Sequence, residues 1–391
     1  MIDNIKKLKV IISCSGKFHA FALAEQLERH GMLETLYTSY SSIKNPLAKL
    51  VVSRRDLEKI SFVKISTLLL VAFGLKIFKN PFFWNNLFDR WVAFQIKNSN
   101  ANIFIGWGGM SLHSIKAAQK KGMITIVERG SCHISMQNIL LIEEYKKFNV
   151  KFQIEQAVIE KENKEYNQSN YISIPSEFAR QSFLSYKIDS NKLLVNHYGV
   201  SKHFSHLEGK PNDIFTILFL GKISVRKGFI YLIEAILRLN KRGIRVKGLF
   251  IGGIDSSIRN YIDNITHENI EFTGHINHYK LSNYISKSDV AVVPSIEDGF
   301  GMVVPQILAC NVPVIVSENT GAADIINEGK NGYIIPIRSV KQIQEKIELL
   351  YNQPEKLLEM KSFIKNNPID LSWDAYGERY IKFLSLLGNE S

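Results

Sequence analysis

The chain has 391 residues, 45% of them hydrophobic, enough to bury two sizeable cores, so two domains are expected. Three cysteines, Cys14, Cys132 and Cys310, are odd in number and far apart, which excludes a disulfide framework or a Cys-x-x-Cys metal site and points to a reducing cytoplasm. The net charge of +12 selects anionic partners; with no nucleic-acid motif and no aromatic–basic interleaving, nucleic acid is set aside in favour of anionic lipid or an anionic substrate.

In chain order, the first apolar run, residues 9–13, reads as a buried opening strand and not as the core of a signal peptide, whose long apolar region and small-residue cleavage site are missing. Residues 15–19 form the turn and 20–30 a helix closed by Gly31. Gly16-Lys17 is not a P-loop, because the upstream glycine and the following Ser or Thr are absent. A second strand is expected at 33–37. Residues 44–97 carry ten basic and three acidic residues. Within them, residues 65–75 are uncharged but too short for a membrane span of about 20 residues. The surrounding 63–78 reads either as an interfacial helix or as a core helix with a solvated basic face.

Strands at 102–106 and 124–127 each run into a polar, glycine-bearing turn, the second delivering Glu128-Arg129-Gly130-Ser131-Cys132-His133. Charged amphipathic helices follow at 140–148 and 158–168. A strand at 171–175 leads to Ser176, the N-cap of a helix at 178–186, and a strand at 193–196 closes the first half. Residues 207–212, with Gly209 and Pro211, read as a linker.

A new sheet starts at 214–220 and runs into Gly221-Lys222 and Arg226-Lys227-Gly228, before a helix at 231–240. Further strands are expected at 246–252, 270–274, 290–293, 312–316 and 333–336, with helices at 281–288, 302–310, 340–351 and 373–387. The stretch 294–317 is the most informative. A strand delivers Pro294-Ser295, then Glu297 and Asp298, then Gly299-Phe300-Gly301 before a helix. In a parallel sheet this edge faces the ligand crevice. Backbone N–H groups there attract phosphate, and carboxylates suit sugar or ribose hydroxyls.

This stretch resembles the donor-site signature Pro-Ser-x-x-Glu-Gly-Phe-Gly of retaining glycosyltransferases of family 4. The resemblance implies an α/β GT-B fold, two Rossmann-like, doubly wound parallel-sheet domains facing each other across a cleft. It places an acceptor-binding domain at 1–206, a nucleotide-sugar-binding domain at 207–372, and at 373–391 a helix crossing back to the first. Asp298 stands at the first Glu position and Gln306 at the second, where a charge is given up; Glu297 serves instead if the turn shifts by one residue. Lys222 and Lys227 occupy the places of the Arg and Lys that hold the donor diphosphate. Gly299, Phe300 and Gly301 line the donor, Gly274 and Ile276 flank the base, and Asp324 lies under the diphosphate. Gly16 belongs to the acceptor-side loop, where Lys17 and His19 could face an acceptor phosphate or hydroxyl. Residues 128–133 resemble a subgroup with an Arg-Gly-Ser-x-His loop. They put His133, then Arg129, near the reacting sugar alongside Asp298 and Lys227, the alternative for His133 being a satisfied histidine behind the site. Glu143 and Glu144 either flank the acceptor or form a solvated face.

The implied reaction is transfer of a sugar, with retention, from a UDP- or GDP-type donor to a glycan or lipid-linked acceptor in bacterial surface polysaccharide or O-antigen assembly. Peripheral contact with an anionic membrane at the cytoplasmic face is expected. With no Asp-x-Asp, HExxH or Cys/His cluster, no metal or other cofactor is required. A nucleotide-sugar epimerase, or a non-catalytic sugar-nucleotide binding protein of the same fold, is the alternative.

Overall fold

The computed structural model describes residues 8–39, 65–67, 80–208, 213–265 and 267–390. Short apolar runs that bury both faces are what parallel strands require, and they make two wholly parallel sheets. The first comprises β1 (Val10–Ser13), β2 (Leu33–Thr38), β3 (Ile65–Thr67), β4 (Ile103–Trp107), β5 (Ile124–Glu128), β6 (Tyr171–Ile174) and β7 (Leu193–Val195), in the order β3-β2-β1-β4-β5-β6-β7. The second comprises β8 (Phe215–Leu220), β9 (Val246–Ile251), β10 (Ile270–Gly274), β11 (Val290–Val293), β12 (Val314–Ser317) and β13 (Gly332–Ile335), in the order β10-β9-β8-β11-β12-β13. Strand order reverses between β1 and β4 and again between β8 and β11. Crevices open beyond the carboxyl ends of strands at such points.

Helices cover the sheets through apolar stripes. The helix Phe229–Lys241 buries Phe229, Leu232, Ile233, Ile236 and Leu239, the three-and-four spacing of one helical face. The last helix, Trp373–Glu390, packs on Ala20–Arg29 of the first half. Its Asp374 accepts from Gln26 at 3.1 Å and Arg29 at 2.5 Å, and a Cβ on Gly377 would come within 2.4 Å of Gln26. The helix therefore ties the chain's end to its beginning.

Two readings change. Ile65–Thr67, taken as part of a helix, pairs with β2 as a strand. The rest of the 63–78 stretch lies outside the described residues, as do residues 209–212 of the expected linker. The helix expected at 140–148 runs from Ile134 to Lys146, because His133 caps it earlier than the apolar pattern suggests. Pro81–Ile96 and Pro354–Asn366 are further helices. The first is aromatic on several faces, which hides its period.

Candidate active site

The loops after β8 and β11 meet at the second switch point. Ile296 N donates to Arg226 O at 2.9 Å, locking one loop to the other. Lys227 Nζ forms an ion pair with Asp298 Oδ2. Burial raises the Asp298 pKa, but the Lys227 and Arg226 charges and hydrogen bonds from Lys227 and the Gly301 N–H outweigh it and hold the carboxyl below its ordinary range. The loop after β12 fixes the Asp298 backbone: its N donates to Asn319 O at 3.0 Å and its O accepts from Gly321 N at 2.9 Å. Lys222 stands on the same edge of the sheet, yet its ammonium pairs with Asp255 and is 62% exposed. Lys227 and Asp298 are brought together; Lys222 is not joined to them.

Glu297 points the opposite way. Fully buried, it accepts from Cys132 N at 3.2 Å and Gln137 Nε2 at 2.8 Å, both in the first half, and pairs with Arg226 at 2.9 Å. It therefore fastens the two halves and is no substitute for Asp298. Gly299 sits at the same contact: a Cβ there would lie 2.2 Å from the Gly130 carbonyl oxygen, and its own carbonyl accepts from Ser176 Oγ at 2.6 Å. Phe300, expected to line the donor, is buried beside His197 and Tyr198, with ring centroids 5.6 Å from each. Gly301 takes φ +82°, turning its N–H toward Asp298. Gln306 is half-buried on the helix Val303–Leu308. Gly274 ends β10 with φ +72° and its carbonyl accepts from Gly252 N at 2.9 Å; Ile276 packs against the core.

Between the halves lies a cavity of about 500 Å³. Phe18, His19, Trp107, Glu128, Arg129 and Tyr198 line it from the first half, Arg226 and Met302 from the second, and Trp373 from the last helix. Gly16 is half-buried in the loop before it, against the Phe18 ring. The Arg129 guanidinium reaches this wall but is engaged by Glu162 at 3.1 Å, Gln137 at 2.8 Å and the Cys132 carbonyl at 3.2 Å. Burial lowers its pKa, and the Glu162 charge more than restores it.

Three assignments are corrected. His133 does not line the cavity. Its Nδ1 accepts from Ser135 N at 3.3 Å, capping the helix, and its ring stacks on Tyr186 at 4.1 Å. Burial and the Arg129 charge push its pKa down to about 4. Asp324, expected under the diphosphate, is engaged by the first half, through Glu177 N at 2.7 Å and His197 Nε2 at 3.0 Å. Glu144 is buried and joined to Arg338 at 2.6 Å, Lys147 at 3.0 Å and the Tyr231 hydroxyl, so it bridges the halves like Glu297, with Glu143 adding a 3.1 Å contact to Arg338. Cavity residues given no individual role in the sequence reading include Glu128, Tyr198 and Arg226. Glu128 had a signal, its place at a strand's carboxyl end, and so had Arg226, its place in the basic turn with Lys222 and Lys227.

Among the described residues no group of three or more His, Cys, Asp or Glu is placed to hold a metal ion. Residues 202–367 match the model of the family described as glycosyl transferases, group 1. The capsular polysaccharide biosynthesis glycosyltransferase CapM of Staphylococcus aureus is 29% identical over 174 residues, 44% of this chain and 43% of CapM. The chain spans about half the length, or less, of the curated relatives it matches. The whole fold is similar to solved structures. A sucrose-phosphate synthase from Thermosynechococcus elongatus has a TM-score of 0.71 at 14% identity, over 98% of this chain and 100% of that one. HepE of Anabaena, in complex with UDP and glucose, has a TM-score of 0.66 at 12% identity, over 97% and 100%. The two-sheet architecture is the GT-B fold.

Proposed function

We propose that this chain is a glycosyltransferase. It moves a sugar, with retention, from a UDP- or GDP-type nucleoside diphosphate sugar to a glycan or lipid-linked acceptor in bacterial surface polysaccharide assembly. The observation that carries the reading is the Lys227–Asp298 pair at the second switch point. A cation there meets the charge that grows on the leaving diphosphate as the glycosidic bond breaks. The ionised carboxylate beside it accepts from sugar hydroxyls. In this reading Lys227, with Lys222 and Arg226 on the same edge, neutralises the diphosphate without a metal ion. The contacts of Glu297 and Gly299 with the first half close the cleft and keep out water, which would otherwise hydrolyse the donor. The family match over residues 202–367 and the role named for CapM support the reaction class and setting, and UDP with glucose on HepE supports the donor class.

The acceptor side faces a basic first half. Phe83, Leu87 and Phe94 are exposed along one face of Pro81–Ile96, with Arg90 between them and the Lys97 ammonium 5.5 Å from the Phe94 ring centroid. Such a stripe suits peripheral docking on an anionic membrane, and no helix among the described residues is long and apolar enough to cross one. Incubation with labelled UDP- and GDP-sugars tests the reading: released nucleoside diphosphate supports a transferase, and binding without turnover favours a sugar-nucleotide binding protein.

A further inference from the structure

Resting on the transferase reading, we propose that Phe18 is the specificity-determining residue of a saccharide subsite for the acceptor. Its ring, with Trp373 on the same lining, stacks on the apolar face of a sugar that the acceptor already carries. Phe18 lies in the loop after β1 with φ +37°, a left-handed backbone that a bulky side chain adopts only under strain. The residue is 65% exposed, so burial within the chain does not offset that strain. The sequence nevertheless makes room for the ring: a Cβ on Gly16 would lie 2.5 Å from it. A strained aromatic kept in solvent, with a glycine shaped to it, is organised for a ligand and not for the core.

Phe18 lines the 500 Å³ cavity between the halves, a volume ordinary for a small-molecule site. The aromatic lining is graded in depth. Trp107 and Tyr198 are buried, Trp373 is half-buried, and Phe18 stands in solvent. Trp373 is fixed from behind, since a Cβ on Gly199 would meet its backbone at 2.6 Å. The buried Tyr198 hydroxyl has no partner among the described residues, and an unpaired buried hydroxyl is costly. Ring faces with an isolated polar group suit a saccharide: C–H faces against the rings, a hydroxyl toward Tyr198. A bare carrier phosphate fits less well, because Arg129 and Arg226 on this lining are already engaged by Glu162 at 3.1 Å and Glu297 at 2.9 Å. The deep end adjoins the donor pair. Arg226 immediately precedes Lys227, and the Tyr198 ring meets Phe300, two residues after Asp298, at 5.6 Å. The sugar that receives the transfer therefore lies toward Tyr198, and the rest of the acceptor leaves over Phe18. Such an acceptor already bears a sugar, so an earlier glycosyl transfer must supply it.

The full chain, Phe18→Asn and Phe18→Tyr are tested with short alkyl hexosides and dihexosides, and with farnesyl phosphate as the sugar-free comparison. Calorimetry reads binding, and released nucleoside diphosphate from the UDP- and GDP-sugar panel reads transfer. At least one glycoside is expected to bind and to act as acceptor, and farnesyl phosphate to do neither. Asn tolerates the left-handed backbone, so Phe18→Asn is expected to melt no lower than the parent. Its glycoside binding should weaken and its acceptor KM rise by about 10-fold, with a smaller change in kcat and with UDP affinity within about 3-fold. Phe18→Tyr keeps the ring and should keep the acceptor KM within about 3-fold. An acceptor KM unchanged in Phe18→Asn, or farnesyl phosphate accepted in place of every glycoside, overturns the subsite. If the parent turns over no donor, the transferase reading itself fails and calorimetry alone decides. Glycoside binding that Phe18→Asn weakens then supports the subsite; binding that it leaves unchanged, or no binding by the parent, overturns it.

Discussion

Lys227 and Asp298 form an ion pair across the loops after β8 and β11, 71 residues apart in sequence. The carboxylate is buried and stays ionised because the ammonium, Arg226 and the Gly301 N–H compensate for lost water. Replacing Lys227 leaves Asp298 as a buried charge without its nearest counterpart, which is costly. The pair is thus preorganised, and a diphosphate entering beside it finds a cation already fixed in place.

Asp298→Asn keeps the shape and removes the charge. Turnover is expected to fall by about 10–10²-fold with a smaller change in nucleotide affinity, the split that separates a sugar contact from a nucleotide contact. The carboxyl titrates below its ordinary value in the folded chain. Its contribution to stability is therefore present above the unfolded pKa of about 4 and is lost as pH falls through the folded value. Urea melts between pH 3 and 6 should show a shallower acid dependence for Asp298→Asn than for the parent.

Gly299→Ala tests closure. The added Cβ would meet the Gly130 carbonyl oxygen at 2.2 Å, so the halves must part. A drop of about 10²-fold in kcat/KM is expected, since small misplacements at a reaction centre cost that much. X-ray scattering should show a larger radius of gyration for the variant; an unchanged radius with full activity would contradict the role of this contact.

His133→Asn separates capping from chemistry. Asn is a good N-cap, so the helix Ile134–Lys146 is retained, while the stack on Tyr186 is lost. The expected outcome is kcat/KM within about 3-fold of the parent and a stability loss of about 1–2 kcal/mol. The imidazole, pushed down to about 4, is neutral at pH 7, whereas an unfolded histidine titrates near 6.5. Its stabilisation is full above pH 6.5 and fades as pH falls toward 4, so the variant's melts should be flatter across that window.

The exposed stripe on Pro81–Ile96 predicts binding to vesicles containing anionic lipid. Flotation at low salt should recover the parent, and changing Phe83, Leu87 and Phe94 together to Ser should reduce the bound fraction at least severalfold, because each lost apolar contact removes about 1–3 kcal/mol. Equal recovery of parent and variant would remove this face from consideration.

The strands were legible because parallel strands are continuous apolar runs, and the turns at their carboxyl ends were legible because glycine and charge stand out against them. Ile270–Gly274 and Val290–Val293 have the bounds read from the sequence. Which way a side chain leaves a turn was not legible. Glu297 and Asp298 are adjacent and chemically alike, yet one fastens the halves and the other meets Lys227, a choice made by the Gly130–Gln137 segment of the distant first half. The same holds for His133 and His19. Both follow strand ends, and only the packing of Tyr186 on one and of Glu128 on the other separates a helix cap from a cavity wall.

The most direct measurement is release of nucleoside diphosphate from the UDP- and GDP-sugar panel by the parent and by Lys227→Ala. The parent is expected to turn over at least one donor, and the variant to lose about 10²–10³-fold in kcat/KM with weaker binding of the free nucleoside diphosphate. Equal rates and equal affinities in the two proteins would contradict a donor site built on Lys227 and Asp298.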